Sequence, residues 1–405
     1  MSVVTPPFDD TQNGNLSPID FKNTEIAFSS KTNAQLRKAY FLFGLMNKAW
    51  LVRVGSQLGL WAMKMRLPIT PIIRATMFEQ FCGGENLDAC QPTINHLADY
   101  HALTILDYGA EAKESEADFD FTMRETMRAI DLAAKNKGKI PVVSCKFTGM
   151  TRFELLEKLH RGEPLTAAEQ ADYKKACARL DAVCKHAYAQ QVGVFVDAEE
   201  SWIQDPIDAL AETLMAQYNQ ARVVVYNTYQ MYRHDRLQYL HDSYARATAG
   251  GYLLGAKLVR GAYMDKERKR AESMGYASPI QPNKAACDAD YDAAVRFCVA
   301  HYTQIGSCVA SHNQTSTQLQ VTLMGEQGIA AQHPHLNFCQ LYGMSDHLTF
   351  NLGNAGYNSA KYLVYGQVRE VFPYLVRRAQ ENASITGDMS RELGFLTQEM
   401  KRRNL

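Results

Sequence analysis

The chain has no excess of either charge: Lys plus Arg and Asp plus Glu each number 43. Without a global field it has no bulk attraction for nucleic acid or other polyanions, so any cationic feature that matters must be local. Its nine cysteines form an odd set with no C-x-x-C pair, and no His cluster shows zinc spacing. A disulfide framework and a structural metal are thereby excluded, and reduced thiols in a cytosol-like compartment are expected. Long apolar runs are also missing. Lys48 and Arg53 interrupt every window long enough to span a bilayer, so no transmembrane helix is predicted. The first lysine is Lys22 and the first arginine Arg37, while Asp9 and Asp10 come early. That is neither a secretory signal nor an Arg-rich transit peptide. No H-E-x-x-H and no Ser/His/Asp set on a nucleophile elbow occurs.

What is present is ordinary globular material, 46% hydrophobic and 21% charged over 405 residues, enough for one large domain and an appendage. Residues 1–30 are rich in Pro, Asn, Ser and Asp without periodicity and are read as a loose arm. Residues 31–95 are expected to be a helical segment. From Ile26 to Phe78 there is no acidic residue, yet Lys31, Arg37, Lys38, Lys48, Arg53, Lys64, Arg66 and Arg74 are there. Leu36, Tyr40, Phe43, Trp50, Val54, Leu58, Trp61 and Met65 recur at helical steps. Such a basic, Trp-bearing helix can lie on an anionic membrane surface or pack on the neighbouring domain. Packing is favoured, because most amphipathic stripes face a core.

Beyond this the pattern changes to short apolar, β-rich runs: Leu103–Asp107, Pro141–Lys146, Gly193–Asp197, Arg222–Asn227, Ala256–Arg260, Ser307–His312, Leu336–Gln340 and Lys361–Tyr365. The intervals leave room for a helix each, and Thr166-Ala-Ala-Glu169 is a capping box that opens one of them. Eight such units predict an α/β fold, a (β/α)8 TIM barrel over 96–390, with a tail at 391–405. An open doubly wound sheet is the alternative. It would bring a Gly-rich phosphate loop, whereas Leu106–Glu111 holds a single glycine.

In a barrel the chemistry gathers at the C-terminal strand ends. The runs would deliver there Asp107 with Glu111, Lys146, Asp197-Ala-Glu-Glu200, Asn227, Arg260-Gly-Ala-Tyr263, Ser311-His312-Asn313 and Gln340-Leu-Tyr-Gly-Met344. After the last run come Arg377 and Arg378, side by side in an otherwise apolar helical stretch, with Glu381 one turn on. Two adjacent guanidiniums suit bidentate capture of a carboxylate. On these residues alone a solvated basic turn reads equally well. The cations Lys146, Lys257, Arg260, Arg377 and Arg378 outnumber what one carboxylate needs, and a second, phosphate-bearing ligand would account for the surplus.

At Gly255-Ala-Lys-Leu-Val-Arg-Gly-Ala-Tyr263, Ala310-Ser-His-Asn313, Gln340-Leu-Tyr-Gly-Met344 and Tyr374-Leu-Val-Arg-Arg-Ala-Gln-Glu-Asn382 the chain closely resembles proline dehydrogenase, from about Ile73 to Ile385. The resemblance implies a distorted (β/α)8 barrel that holds FAD and passes hydride from C5 of L-proline to flavin N5, giving Δ1-pyrroline-5-carboxylate. It implies electron transfer to a quinone with a peripheral membrane contact, and no metal. Lys146, Arg377 and Arg378 would bind the proline carboxylate, with Glu111 pairing the first arginine. Asp197 and Lys257 would be catalytic. Ala198, Asn227, Arg260, Gly261, Ala262, Ser311, His312 and Glu381 would contact FAD, and Tyr263, Leu341, Tyr362 and Tyr374 would line the ring pocket. Lys257 and Asn227-Thr-Tyr-Gln230 look more like the eukaryotic-type, monofunctional branch, which includes hydroxyproline dehydrogenases. Tyr at 362 favours proline, because a filled pocket leaves no room for the extra hydroxyl. The expected location is cytoplasmic and peripheral at the inner membrane, or mitochondrial for a eukaryotic chain whose transit peptide has been removed.

Overall fold

The computed structural model describes residues 19–65, 67–109, 114–384 and 388–405, with the side chains of residues 49 and 381–390 outside that description. Nine strands form: β1 Cys82–Gly84, β2 Leu103–Tyr108, β3 Val142–Cys145, β4 Gly193–Val196, β5 Val225–Gln230, β6 Leu254–Val259, β7 Ile305–Ala310, β8 Leu336–Leu341 and β9 Ser359–Tyr365. From β2 to β9 each pairs in parallel with the next, and β9 pairs back onto β2, so eight strands close a barrel. Helices stand between the barrel strands, as expected of a (β/α)8 fold. Thr166 does cap its helix, Ala167–Gln190, reciprocally with Glu169.

Alternation decides what the barrel contains. Ile105, Phe195, Tyr226, Cys308, Tyr362 and Val364 point inward. Leu106, Val194, Val196, Leu258, Val309 and Leu363 point outward onto the helices. With both faces buried, the strands read as the near-continuous apolar runs that made them legible.

Within the stretch read as a loose arm, Thr24–Ala27 is helical and Phe21, Ala27 and Phe28 are buried, and three further elements depart from the sequence expectations. The first is β1, a short strand inside the stretch expected to be helical, which pairs with Val364 and Tyr365 of β9 just beyond where β8 leaves off. The second is β5, which starts and ends three residues later than the apolar run implies. The side-chain oxygen of Asn219 accepts from the backbone N–H groups of Val224 and Val225 at 2.9 and 2.8 Å, where the chain enters the ladder. The third is the stretch read as a tail, which is helical over Asp388–Arg402 and buries Leu396 and Glu399.

The N-terminal helices are seated on the barrel. Asn33–Met46, capped by Thr32 with Gln35, buries Leu36, Ala39, Phe43 and Met46 in the same cluster as the inward barrel side chains. The next helix, Ala49–Lys64, lies on the helix Val368–Ser384, where Gly59 faces Phe372 so closely that a Cβ would come within 2.8 Å of its ring. Its other side is bare: Trp50, Leu58 and Trp61 are 67%, 59% and 57% exposed. The apolar stripe expected to face a core therefore faces outward over much of its length.

Candidate active site

The loops that follow the barrel strands bring a charged network to one end of the barrel. Asp107 near the end of β2, Lys146 just past β3, Asp197 just past β4, Lys257 within β6 and Tyr362 within β9 all serve it. The Lys257 ammonium donates to Asp197 Oδ1 at 2.6 Å, and the Tyr362 hydroxyl donates to Asp197 Oδ2 at 2.6 Å. Lys146 Nζ lies 3.6 Å from Asp107 Oδ2. Lys257 also sits over the rings of Phe195 and Tyr362, 5.1 and 4.7 Å from their centroids, where aromatic faces help hold a desolvated cation. Two lysines thus balance two aspartates within the barrel.

The two carboxyls are driven apart. Burial pushes Asp107 up, and the nearby Asp197 adds to this against the pull of Lys146 and Lys257. Burial also works against ionised Asp197, but Lys257 and then Lys146, with the Lys257 and Tyr362 hydrogen bonds, outweigh it and hold that carboxyl below its ordinary value. Lys257 loses by burial but is held above its ordinary value by Asp197. The resulting state has Asp197 and Lys257 as an ion pair beneath a phenol.

The helix Val368–Ser384 contributes the arginines. Arg378 is buried, 5.4 Å over the Tyr374 ring, and Arg377 is half-buried. The charge of Arg377 reaches Tyr263 and that of Arg378 reaches His312, so the pair borders the loops after β6 and β7. Glu381 belongs to the same helix, but its side chain lies outside the described residues, as does Glu111. Leu341 closes β8, half-buried among the barrel's inward side chains.

On the other side of the mouth, Arg260 donates to Asp288 at 2.8 Å, to Ser311 at 2.7 Å and to Ser316 at 3.0 Å, and lies 4.2 Å over the Tyr291 ring. Gly261 follows at φ 139°, and a Cβ there would stand 2.4 Å from the Tyr232 ring, so only glycine fits. With Ala262 it forms an exposed, nearly side-chain-free rim, and Ala198 is half-buried on the loop after β4. His312 shares a hydrogen bond of 2.9 Å with Ser345. Burial, with Lys361 and Arg378 nearby, lowers it to about 3, so it stays neutral.

Asn227 is not in this group. It pairs with outward-facing Val196 and Ala256, and its amide donates to Asp208 of the helix Ser201–Tyr218 at 2.9 Å. The three-residue shift of β5 gives its place at the strand end to Gln230, which sequence reasoning passed over although it quoted the motif. Gln230 is buried, donates to the Glu199 carbonyl at 3.1 Å, and leaves its Oε1 without a partner. Asp107 and Glu199 were noticed only as residues at strand ends.

A buried acceptor without a donor, a glycine rim open to a close-lying ligand, an arginine beside serine hydroxyls and a neutral imidazole suit a large planar heterocycle with a phosphate-bearing tail. No cluster of His, Cys, Asp or Glu among the described residues could hold a metal ion. A closed parallel barrel with charged groups at the strand ends defines a TIM-barrel enzyme.

A sequence model described as Proline dehydrogenase matches residues 90–391. The chain belongs to the proline dehydrogenase family, a family of oxidoreductases. It is 32% identical over 385 residues to a hydroxyproline dehydrogenase of Xenopus laevis, covering 86% of this chain and 80% of that one. It is 37% identical over 245 residues to proline dehydrogenase 1, mitochondrial, of Drosophila melanogaster, covering 58% of this chain and 36% of that one. Among solved structures it is similar to proline utilization A (PutA) from Bdellovibrio bacteriovorus, inactivated by N-propargylglycine. That match has a TM-score of 0.71 at 21% identity and covers 96% of this chain and 42% of that chain. The likeness to PutA supports the fold.

Proposed function

We propose that this protein oxidises L-proline to Δ1-pyrroline-5-carboxylate, the first step of proline catabolism, with FAD as its cofactor and a quinone as electron acceptor. The observation that carries this is the Asp197–Lys257–Tyr362 network lying within the barrel whose mouth is bordered by the Arg377–Arg378 helix. Arg377, Arg378 and Lys146 are the groups to hold the carboxylate, and fixing it at one end orients the ring. Tyr263, Leu341, Tyr362 and Tyr374 are the apolar surfaces to enclose that ring. An excess of fixed cations disfavours a protonated amine, so the nitrogen lone pair is kept available. Ala198, Gln230, Arg260, Gly261, Ala262, Ser311, His312 and Glu381 are the candidates to hold FAD, which when bound supplies the hydride-accepting ring. Lys257 contributes fixed positive charge to the site, held in place by Asp197.

Proline is preferred over hydroxyproline because the Tyr362 ring fills the site and its hydroxyl is committed to Asp197. Tyr362→Ser is expected to raise kcat/KM for trans-4-hydroxy-L-proline relative to L-proline by about tenfold or more. Dye-linked turnover with each substrate checks this, and an unchanged ratio removes Tyr362 as the selector.

A quinone acceptor resides in lipid, so the protein must meet a membrane as a peripheral partner. No helix among the described residues is long and apolar enough to cross one. Support for a surface contact comes from the bare face of the helix Ala49–Lys64, with Trp50, Val54, Leu58 and Trp61 exposed and Lys48, Arg53 and Lys64 close by. Removing residues 1–66 would strip Phe28, Leu36 and Phe43 from the core, so point changes are the cleaner test. Trp50→Glu with Trp61→Glu is expected to weaken co-sedimentation with anionic phospholipid vesicles by on the order of tenfold while dye-linked turnover is kept. Undiminished vesicle binding would remove this face from the account.

A further inference from the structure

We propose that Glu199 is a positioning residue for substrate binding: its carboxylate clips the loop after β3, which carries Lys146, to the loop after β4, which carries Asp197. The inference rests on the assignment of Lys146 to the substrate carboxylate.

Glu199 is buried, and both of its oxygens are engaged by one residue of the neighbouring loop. Thr148 donates its backbone N–H to Oε1 at 3.1 Å and its hydroxyl to Oε2 at 2.5 Å. Thr148 lies two positions after Lys146, in the single turn Phe147–Gly149. The turn closes with the Gly149 and Met150 N–H groups donating to the Lys146 and Phe147 carbonyls at 3.1 and 2.8 Å and is seated by buried Phe147, and Glu199 adds the tie to the loop after β4.

The Glu199 side of the clip is the fixed one. Its N–H donates to Gln204 at 2.7 Å, and its carbonyl accepts from Gln230 at 3.1 Å. Two residues on, the N–H and hydroxyl of Ser201 donate to buried Glu267 at 2.7 and 2.6 Å. A rigid loop therefore presents a carboxylate, and the Lys146 turn is held against it. Lys146 sits 3.6 Å from Asp107, two positions before the threonine that Glu199 holds.

The clip is strongest in the ionised form, which accepts at both oxygens. A proton on Oε1 would confront the Thr148 N–H, and one on Oε2 would force the hydroxyl to turn round. Burial pushes Glu199 up to about 7; the Thr148 hydrogen bonds oppose this, Glu200 adds to it and Lys146 opposes it. The Tyr263 phenol also faces it, and Lys266 is paired to the neighbouring Glu200. Lowering the pH through about 7 therefore weakens the clip and raising it strengthens the clip.

The test uses the flavin-loaded full chain and cyclopentanecarboxylate, which has the ring and carboxylate of proline but no amine to titrate. Its inhibition constant against L-proline is measured from pH 6 to pH 8.5. The wild type is expected to bind it several-fold more weakly below pH 7 than above. Glu199→Gln is expected to bind about tenfold more weakly at pH 8, with the pH step gone, and kcat largely kept. Thr148→Val should weaken binding likewise, and Thr148→Ser should restore it. A Glu199→Gln protein with wild-type affinity and an intact pH step overturns the inference alone. A wild-type protein that binds neither proline nor the analogue at any pH overturns the substrate assignment and this inference with it.

Discussion

Replacing Arg378 by Met is expected to raise KM for L-proline by roughly a hundredfold or more, with FAD retained and the fold intact. Truncating one partner of a buried, charge-assisted contact costs about 2–5 kcal/mol, and every 1.4 kcal/mol is a factor of ten. Met keeps the unbranched stem and much of the packing over Tyr374 while removing the fork of N–H donors. Arg378 is also the more enclosed of the pair, since Arg377 is only half-buried. Its loss should therefore exceed that of Arg377→Met. Because the proposed carboxylate contact would serve binding and turnover alike, kcat should fall less than kcat/KM. Steady-state kinetics with a soluble dye acceptor give both constants, and a normal KM in Arg378→Met would end the clamp assignment.

The second large effect is expected on stability. Lys257 and Asp197 form a buried pair with side-chain exposures of 7% and 12%. Lys257→Met leaves the Asp197 carboxylate with the Tyr362 hydroxyl and the more distant field of Lys146, but without its ammonium. Removing one member of a buried pair costs about 3–5 kcal/mol, while replacing both by groups of similar volume can be nearly neutral. Lys257→Met alone should therefore lower stability by about that amount, and adding Asp197→Asn should recover much of it. The pH dependence has a definite sign. The Asp197 carboxyl is held below its ordinary value, so the stability it lends is present above the unfolded carboxyl range and is lost as pH falls through its own lower value. In the double variant that acid-side loss should shrink. Denaturant midpoints for the two single variants and the double variant measure the coupling, and additive losses would show that the pair is not a unit.

Much of the barrel was legible because parallel strands buried on both faces leave apolar runs, and the runs from Leu103 to Tyr365 are those strands. Register was harder to see. Val223 and Val224 look like strand residues, yet the Asn219 side chain takes the N–H of Val224 and β5 begins only at Val225. That single shift turned Asn227 outward to Asp208 and gave the strand end to Gln230. No local pattern announces which polar residue an amide five positions upstream will displace. The pairing of Lys257 with Asp197 was equally hidden, since the partners lie sixty positions apart and meet only when the barrel closes. The helix Ala49–Lys64 shows a third limit, because an apolar stripe has the same spacing whether it faces a core or solvent. The clip by Thr148 spans two loops, and loops carry no periodicity from which such a contact could be read.

The proposed reaction is the removal of hydride from L-proline. It is tested most directly by recording the visible spectrum of the purified protein under anaerobic conditions and adding L-proline or trans-4-hydroxy-L-proline. A flavin band that bleaches with proline at far lower concentration than with hydroxyproline is the expected result. Bleaching with the reverse preference would contradict the role given to Tyr362, and a flavin band unmoved by either would contradict the proposed reaction.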